Sequence, residues 1–190
     1  MIMRKELFEQ LRGGLVVSCQ AFDYEPFYGA EMMAKMAISA KLGGAAAIRA
    51  SWPENIRAIK KEVDLPIFGI NKIMPEVYDK FHDVIITPTL SSARAVDCTL
   101  RQGRTPEMIK ALLQEYKAEL DVLIMAEIST AEEGRIAAAG GADILSTTIA
   151  GYTPYSRQMD EPDYRLIEEL AETTTLPINA EGRFHRPEQV

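Results

Sequence analysis

The chain has 190 residues, 47% of them hydrophobic, which is enough to bury the core of one domain, and no apolar run long enough to span a bilayer. Its net charge of −7 and pI near 5.0 argue against a protein that grips the phosphate backbone of nucleic acid. Cys19 and Cys98 are its two cysteines and His82 and His185 its two histidines, so a disulfide framework and a metal site at ligand spacing are both unexpected. Met1-Ile2-Met3-Arg4-Lys5-Glu6-Leu7 carries no apolar leader segment, and a soluble cytoplasmic protein with neither a metal nor an organic cofactor is the expectation.

Helices and strands are expected to alternate. Residues 3 to 12 read as an amphipathic entry helix, and Leu15-Val16-Val17-Ser18-Cys19-Gln20 as a first strand. A loop with Pro26 leads to a helical stripe over 30 to 42, carried by Met32, Met33, Met36, Ala37 and Ala40. Gly43-Gly44 ends that helix, and the chain re-enters a strand that finishes on Ile48-Arg49. The pattern returns at Ala137-Ala138-Ala139-Gly140-Gly141-Ala142-Asp143-Ile144-Leu145-Ser146, an internal repeat of one βα unit.

Residues 54 to 62 are an expected helix, 66 to 70 and 84 to 87 strands, 106 to 120 a helix, and 122 to 128 a strand. A helix over 131 to 139, a strand over 144 to 149, a helix over 163 to 172 and a strand over 177 to 181 complete the series. The rhythm falters at Ser91-Ser92-Ala93-Arg94-Ala95-Val96, which reads as a helix start running straight into Asp97. By the spacing of the other units, roughly ten residues carrying most of a strand are expected to be missing there. At the end, Arg186-Pro187-Glu188-Gln189-Val190 opens a helix without finishing it, and an eighth strand is expected to be absent. The fold expected is an α/β (β/α)8 barrel in one domain, 1 to 190, short of a complete one, since such barrels run to about 250 residues.

Seven of the apolar runs stop on polar residues, as strands of a parallel barrel do where they meet the active site. Lys72 follows Phe68-Gly69-Ile70-Asn71, where a desolvated amine can act as a base. Glu181 ends the strand Pro177-Ile178-Asn179-Ala180 and is followed by Gly182-Arg183; pairing with Arg183 is the bland alternative. Arg49 closes a run of alanine and isoleucine and must find an anion or carboxylate. Gln20 holds the matching place on the first strand; a structural hydrogen bond explains Arg49 equally well and is the better reading for Gln20. Asp97-Cys98-Thr99-Leu100-Arg101-Gln102-Gly103-Arg104 offers a carboxylate and two guanidiniums, fit either for a sugar hydroxyl and a phosphate or for local salt bridges. No GxGxxG, GxxxxGK[ST] or GxSxG is present, so nucleotide cofactors and a serine nucleophile lose support.

Taken together, several stretches resemble the N-acylglucosamine-6-phosphate 2-epimerase family in its order: Gly14 to Gln20, Gly43 to Ala50, Leu65 to Lys72, Ile86-Thr87-Pro88-Thr89, Met125 to Thr130, Thr147 to Thr153 and Ala180-Glu181-Gly182-Arg183. The resemblance implies interconversion of N-acetylmannosamine 6-phosphate and N-acetylglucosamine 6-phosphate in sialic acid breakdown, on a barrel, by a homodimer. It implies proton transfer at C2 by Lys72 and Glu181, with Gln20, Arg49, Asp97, Glu127, Thr148 and Arg183 at the substrate. Glu127 stands where the family usually has aspartate. Two other readings remain open: a non-catalytic barrel remnant that binds sugar or assists assembly, and another phosphate-binding barrel enzyme.

Overall fold

The computed structural model describes residues 4–73, 85–87, 93–119 and 122–190. His82, Pro88, Thr89, Ser91 and Ser92 lie outside the described residues. The chain divides into two compact units, Met1–Lys72 with Ile86–Arg94, and Ile73–Ile85 with Ala95–Val190.

In the first unit, α1 (Arg4–Leu11) precedes β1 (Val16–Cys19), α2 (Ala30–Leu42), β2 (Ala47–Ser51), α3 (Pro53–Glu62) and β3 (Ile67–Ile73). β1, β2 and β3 pair in parallel, Ser18 opposite Arg49 and Arg49 opposite Phe68. β4 (Ile85–Thr87) pairs with β3, whose Phe68 and Gly69 also pair in parallel with Ala93 and Arg94. A parallel pair needs a crossover, and α2 and α3 supply it. α3 starts with Pro53 in its first turn, where the missing N–H costs nothing, and ends on Lys60 and Lys61, whose charges suit the negative helix terminus. Cys19, Met33, Ala37, Ile48, Ile56, Ile59 and Ile67 form the core of this unit.

In the second unit, the end of β5 (Ala93–Asp97) is followed by α4 (Pro106–Glu119), β6 (Leu123–Glu127), α5 (Ala131–Gly140), β7 (Ile144–Ser146), α6 (Tyr164–Thr173) and β8 (Ile178–Asn179). The order is β5-β6-β7-β8, with Glu127 opposite Ser146 and Ser146 opposite Asn179. Val96, Ile109, Leu113, Ile124, Ile136, Leu145, Leu166 and Leu170 make its core. α5 opens on a capping box: Thr130 Oγ1 accepts from Glu133 N, and Glu133 Oε2 accepts from Thr130 N at 3.0 Å.

The two copies of the internal repeat share their turn. α2 ends at Leu42 and is capped by Gly43, with Gly44 at φ +88°, and α5 ends at Gly140, with Gly141 at φ +100°. Left-handed backbone at the second glycine lets the chain leave the helix and enter the next strand.

The structure corrects the reading of residues 91 to 97. Residues 93 to 97 are a strand rather than the start of a helix, with Ala95 and Val96 buried, so a strand does lead into Asp97. Arg49 is the third residue of β2 and not its end, which is Ser51. Pro187–Gln189 forms a single 3-10 turn.

Candidate active site

Polar residues collect where the strands end. In the first unit, Gln20 follows β1 and its carboxamide is held at both ends: Nε2 donates to Ser18 Oγ at 2.7 Å, and Oε1 accepts from Ser51 Oγ. Arg49 and Ser51 share a face of β2, because strand side chains alternate with period two, and both are buried, Arg49 at 4% exposure. Lys72 sits at the end of β3. Its carbonyl accepts from Trp52 Nε1 at 3.0 Å, and its ammonium lies 5.0 Å from the centroid of the Phe22 ring, within cation–π range. Phe22 in turn meets Trp52 edge-on at 6.0 Å and stacks on Tyr24 at 5.6 Å. Trp52 has φ 65°, left-handed for a bulky side chain, and its backbone N–H donates to Ile70 O at 2.8 Å. A β2–α3 junction under strain thus supports the lysine from behind.

In the second unit, Asp97 ends β5 with 1% exposure. Its Oδ1 accepts from Thr99 N at 2.9 Å and Thr99 Oγ1 at 2.7 Å, and its Oδ2 accepts from Arg101 Nε at 3.0 Å and Nη2 at 2.6 Å. Arg104 adds an ion pair at 3.4 Å and donates to the Asp97 carbonyl at 2.8 Å. Both carboxylate oxygens are therefore engaged within the loop, the pattern of local salt bridges. Glu127 ends β6, fully buried, and its carbonyl receives Cys98 N at 2.9 Å. Burial pushes the Cys98 thiol well above its ordinary range, helped by the carboxylate of Asp97.

Glu181 follows β8. Thr147 brackets its backbone, donating to Glu181 O at 2.8 Å and accepting from Glu181 N at 2.9 Å. Glu181 Oε2 faces Asn179 Nδ2 at 2.9 Å, with Ser146 Oγ and Thr148 Oγ1 each at 3.3 Å. All three are neutral groups, so what they contribute is orientation of the carboxylate. Gly182 at φ +95° and Arg183 at φ 61° then turn the chain sharply. Arg183 Nη2 donates to Gly151 O at 2.7 Å, and its guanidinium carbon lies 4.5 Å from the Tyr152 ring centroid. A Cβ at Gly151, itself at φ +80°, would meet Arg183 Nε at 2.5 Å, so only glycine admits the guanidinium there.

Gln20, Arg49 and Lys72 thus belong to the first unit, and Asp97, Glu127, Thr148, Glu181 and Arg183 to the second. The sequence reading overlooked Ser51, Trp52, Ser146 and Asn179, and also Glu133. That buried carboxylate accepts from Leu100 N at 2.6 Å, from Ser129 N and Ser129 Oγ at 2.7 Å each, and from Thr130 N at 3.0 Å. Its signal was the Thr130-Ala131-Glu132-Glu133 spacing at a helix start.

Parallel strands joined by helices, with carboxylates, a lysine and hydroxyls at the strand ends, define an α/β protein of the (β/α) barrel class. The profile of a family described as "Putative N-acetylmannosamine-6-phosphate epimerase" matches residues 33–190. A "Putative N-acetylmannosamine-6-phosphate 2-epimerase" of Caldanaerobacter subterraneus subsp. tengcongensis is 42% identical over 98% of this chain and 82% of its own length. One of the same description from Clostridium perfringens strain SM101 is 42% identical over 97% of this chain and 86% of its own length. The solved N-acetylmannosamine-6-phosphate 2-epimerase of Clostridium perfringens superposes with a TM-score of 0.84 at 38% identity, covering 100% of this chain and 85% of that one. The chain belongs to the N-acetylmannosamine-6-phosphate epimerase family.

Proposed function

We propose that this protein epimerises N-acetylmannosamine 6-phosphate at C2, giving N-acetylglucosamine 6-phosphate. The observation that carries the reading is the 42% identity, over 97% and 98% of the chain, to proteins named for that activity. Opening the sugar ring exposes an aldehyde, which acidifies the proton on the neighbouring C2. In the assignment we favour, the Lys72 amine removes that proton and becomes an ammonium, leaving an enolate; a proton from solvent is delivered to the opposite face of C2 to complete the inversion, and Lys72 then loses its proton to solvent. We assign Glu181 to the same reaction, as the carboxylate that orients the sugar hydroxyls.

The aromatic group of Phe22 and Trp52 fixes where Lys72 stands, holding its carbonyl and its side-chain nitrogen at once. Gln20, Arg49, Asp97, Glu127, Thr148 and Arg183 are assigned to the substrate, with the guanidiniums suited to its phosphate. The same reading makes the protein a cytoplasmic single barrel that pairs with a second copy, an assembly that light scattering on the purified chain decides.

The test is proton NMR of the protein with N-acetylmannosamine 6-phosphate in deuterated buffer. Epimer carrying deuterium at C2 is the expected product, and no epimer from a folded chain overturns the function. Lys72→Ala should slow C2 exchange by at least roughly 100-fold, as loss of a general base does. Exchange at the wild-type rate in that variant removes Lys72 from the role.

A further inference from the structure

A count of protons around Glu181 singles out one residue. Ser146 Oγ and Thr148 Oγ1 lie 2.7 Å apart, and each is also 3.3 Å from Glu181 Oε2. Two hydroxyls have two protons for these three contacts, and the shortest of them takes one. At most one hydroxyl proton is left for the carboxylate, over a long contact. Asn179 has no such conflict. Its Nδ2 carries two protons, one directed to Ser146 Oγ at 2.8 Å and the other to Glu181 Oε2 at 2.9 Å.

The orientation of that amide is forced, because turning it over would set its oxygen against the carboxylate. Its position is also fixed by the sheet: Asn179 is the last residue of β8 and pairs in register with Ser146 at the end of β7. The side chain therefore reaches Glu181, two residues on, from the end of a paired strand.

We infer that Asn179 is a positioning residue for the epimerisation, setting the Glu181 carboxylate by an unshared hydrogen bond and acting on the substrate only through it. This rests on the role proposed for Glu181. Removing the donor while keeping the size, in Asn179→Leu, should lower kcat roughly 10- to 100-fold with KM changed less than about threefold, since a misplaced catalytic group costs rate more than binding. In Asn179→Asp a second carboxylate faces Glu181. The pair can share a proton only at low pH, so this variant's rate relative to wild type should climb as pH falls from about 8 to about 5.

Purified wild type, both variants and Glu181→Gln would be compared by the NMR exchange assay, with circular dichroism as the check on folding. Asn179→Leu within about twofold of wild type in kcat overturns the inference, as does a pH-independent deficit in Asn179→Asp. If Asn179→Leu does not fold, the Asn179→Asp profile decides alone. Glu181→Gln at the wild-type rate would instead overturn the role of Glu181 itself.

Discussion

At the scale of single residues, Glu133 joins segments that lie far apart in sequence. It is fully buried and accepts from three backbone amides and one hydroxyl. Glu133→Gln keeps the volume but turns one acceptor oxygen into a donor facing other donors. The expected cost is about 3 kcal/mol, the scale of a buried charged group losing its partners, or roughly a 10 °C fall in Tm by differential scanning calorimetry. Its local half was legible, because Thr130 and Glu133 have capping-box spacing. The bond to Leu100 was not, since those residues are 33 apart in sequence and no local pattern records the meeting. The places of Lys72 and Glu181 near strand ends were legible by another route, as charges closing apolar runs. Asn179 was passed over because a polar residue inside a strand end looks like ordinary surface until its partner is seen.

At the scale of elements, α4 and α5 approach closely at Gly140. A Cβ there would lie 2.8 Å from Leu113 Cδ1 and 3.2 Å from Lys110 Cα, and the second of these is backbone and cannot swing aside. An alanine in a helix ordinarily gains about 0.5–1 kcal/mol over glycine. Here overpacking of about 1–3 kcal/mol outweighs it, so Gly140→Ala should lower the urea midpoint rather than raise it. The helices were legible from their stripes, α2 over residues 30 to 42 and α4 from 106, because their periodicity is long enough to be unambiguous. β5 was misread for the opposite reason. Ala93-Arg94-Ala95-Val96 is short and rich in helix formers, and pairing of Ala93 and Arg94 with β3, together with burial of Ala95 and Val96, overrides that preference.

For the whole molecule, the titratable groups that depart upward set an alkaline limit. Burial pushes Cys19 up to about 11 from 9.0, and Cys98 well above 9.0. Tyr155 is pushed up to about 12 from 10.0, by burial first and then by the nearby Glu133 carboxylate. Each holds its proton more tightly when folded than when unfolded. Their contribution is fully present below about pH 9 and is lost as pH rises through the folded values. Tm followed by circular dichroism from pH 7 to 11 should stay level to about pH 8.5 and then fall, and Cys19→Ala with Cys98→Ala should make that fall shallower. The alternation of strands and helices across the chain was legible as repeated punctuation by glycine and polar strand ends, whereas the titration behaviour depends on which thiols the folded chain encloses.

The contact between Glu133 and Leu100 also bears on the order in which the second unit can assemble. Thr130, Ser129 and the first turn of α5 find one another locally, within nanoseconds to microseconds of helix formation. The remaining carboxylate oxygen reaches the Leu100 amide only after the segment between them, α4 and β6, has folded back into place. Until that closure the oxygen stays with water, and afterwards withdrawing it leaves a buried amide stranded. One side chain therefore ties the segment after β5 to the start of α5, so a chain cut between Leu100 and Ser129 would lose the covalent link that makes this closure intramolecular.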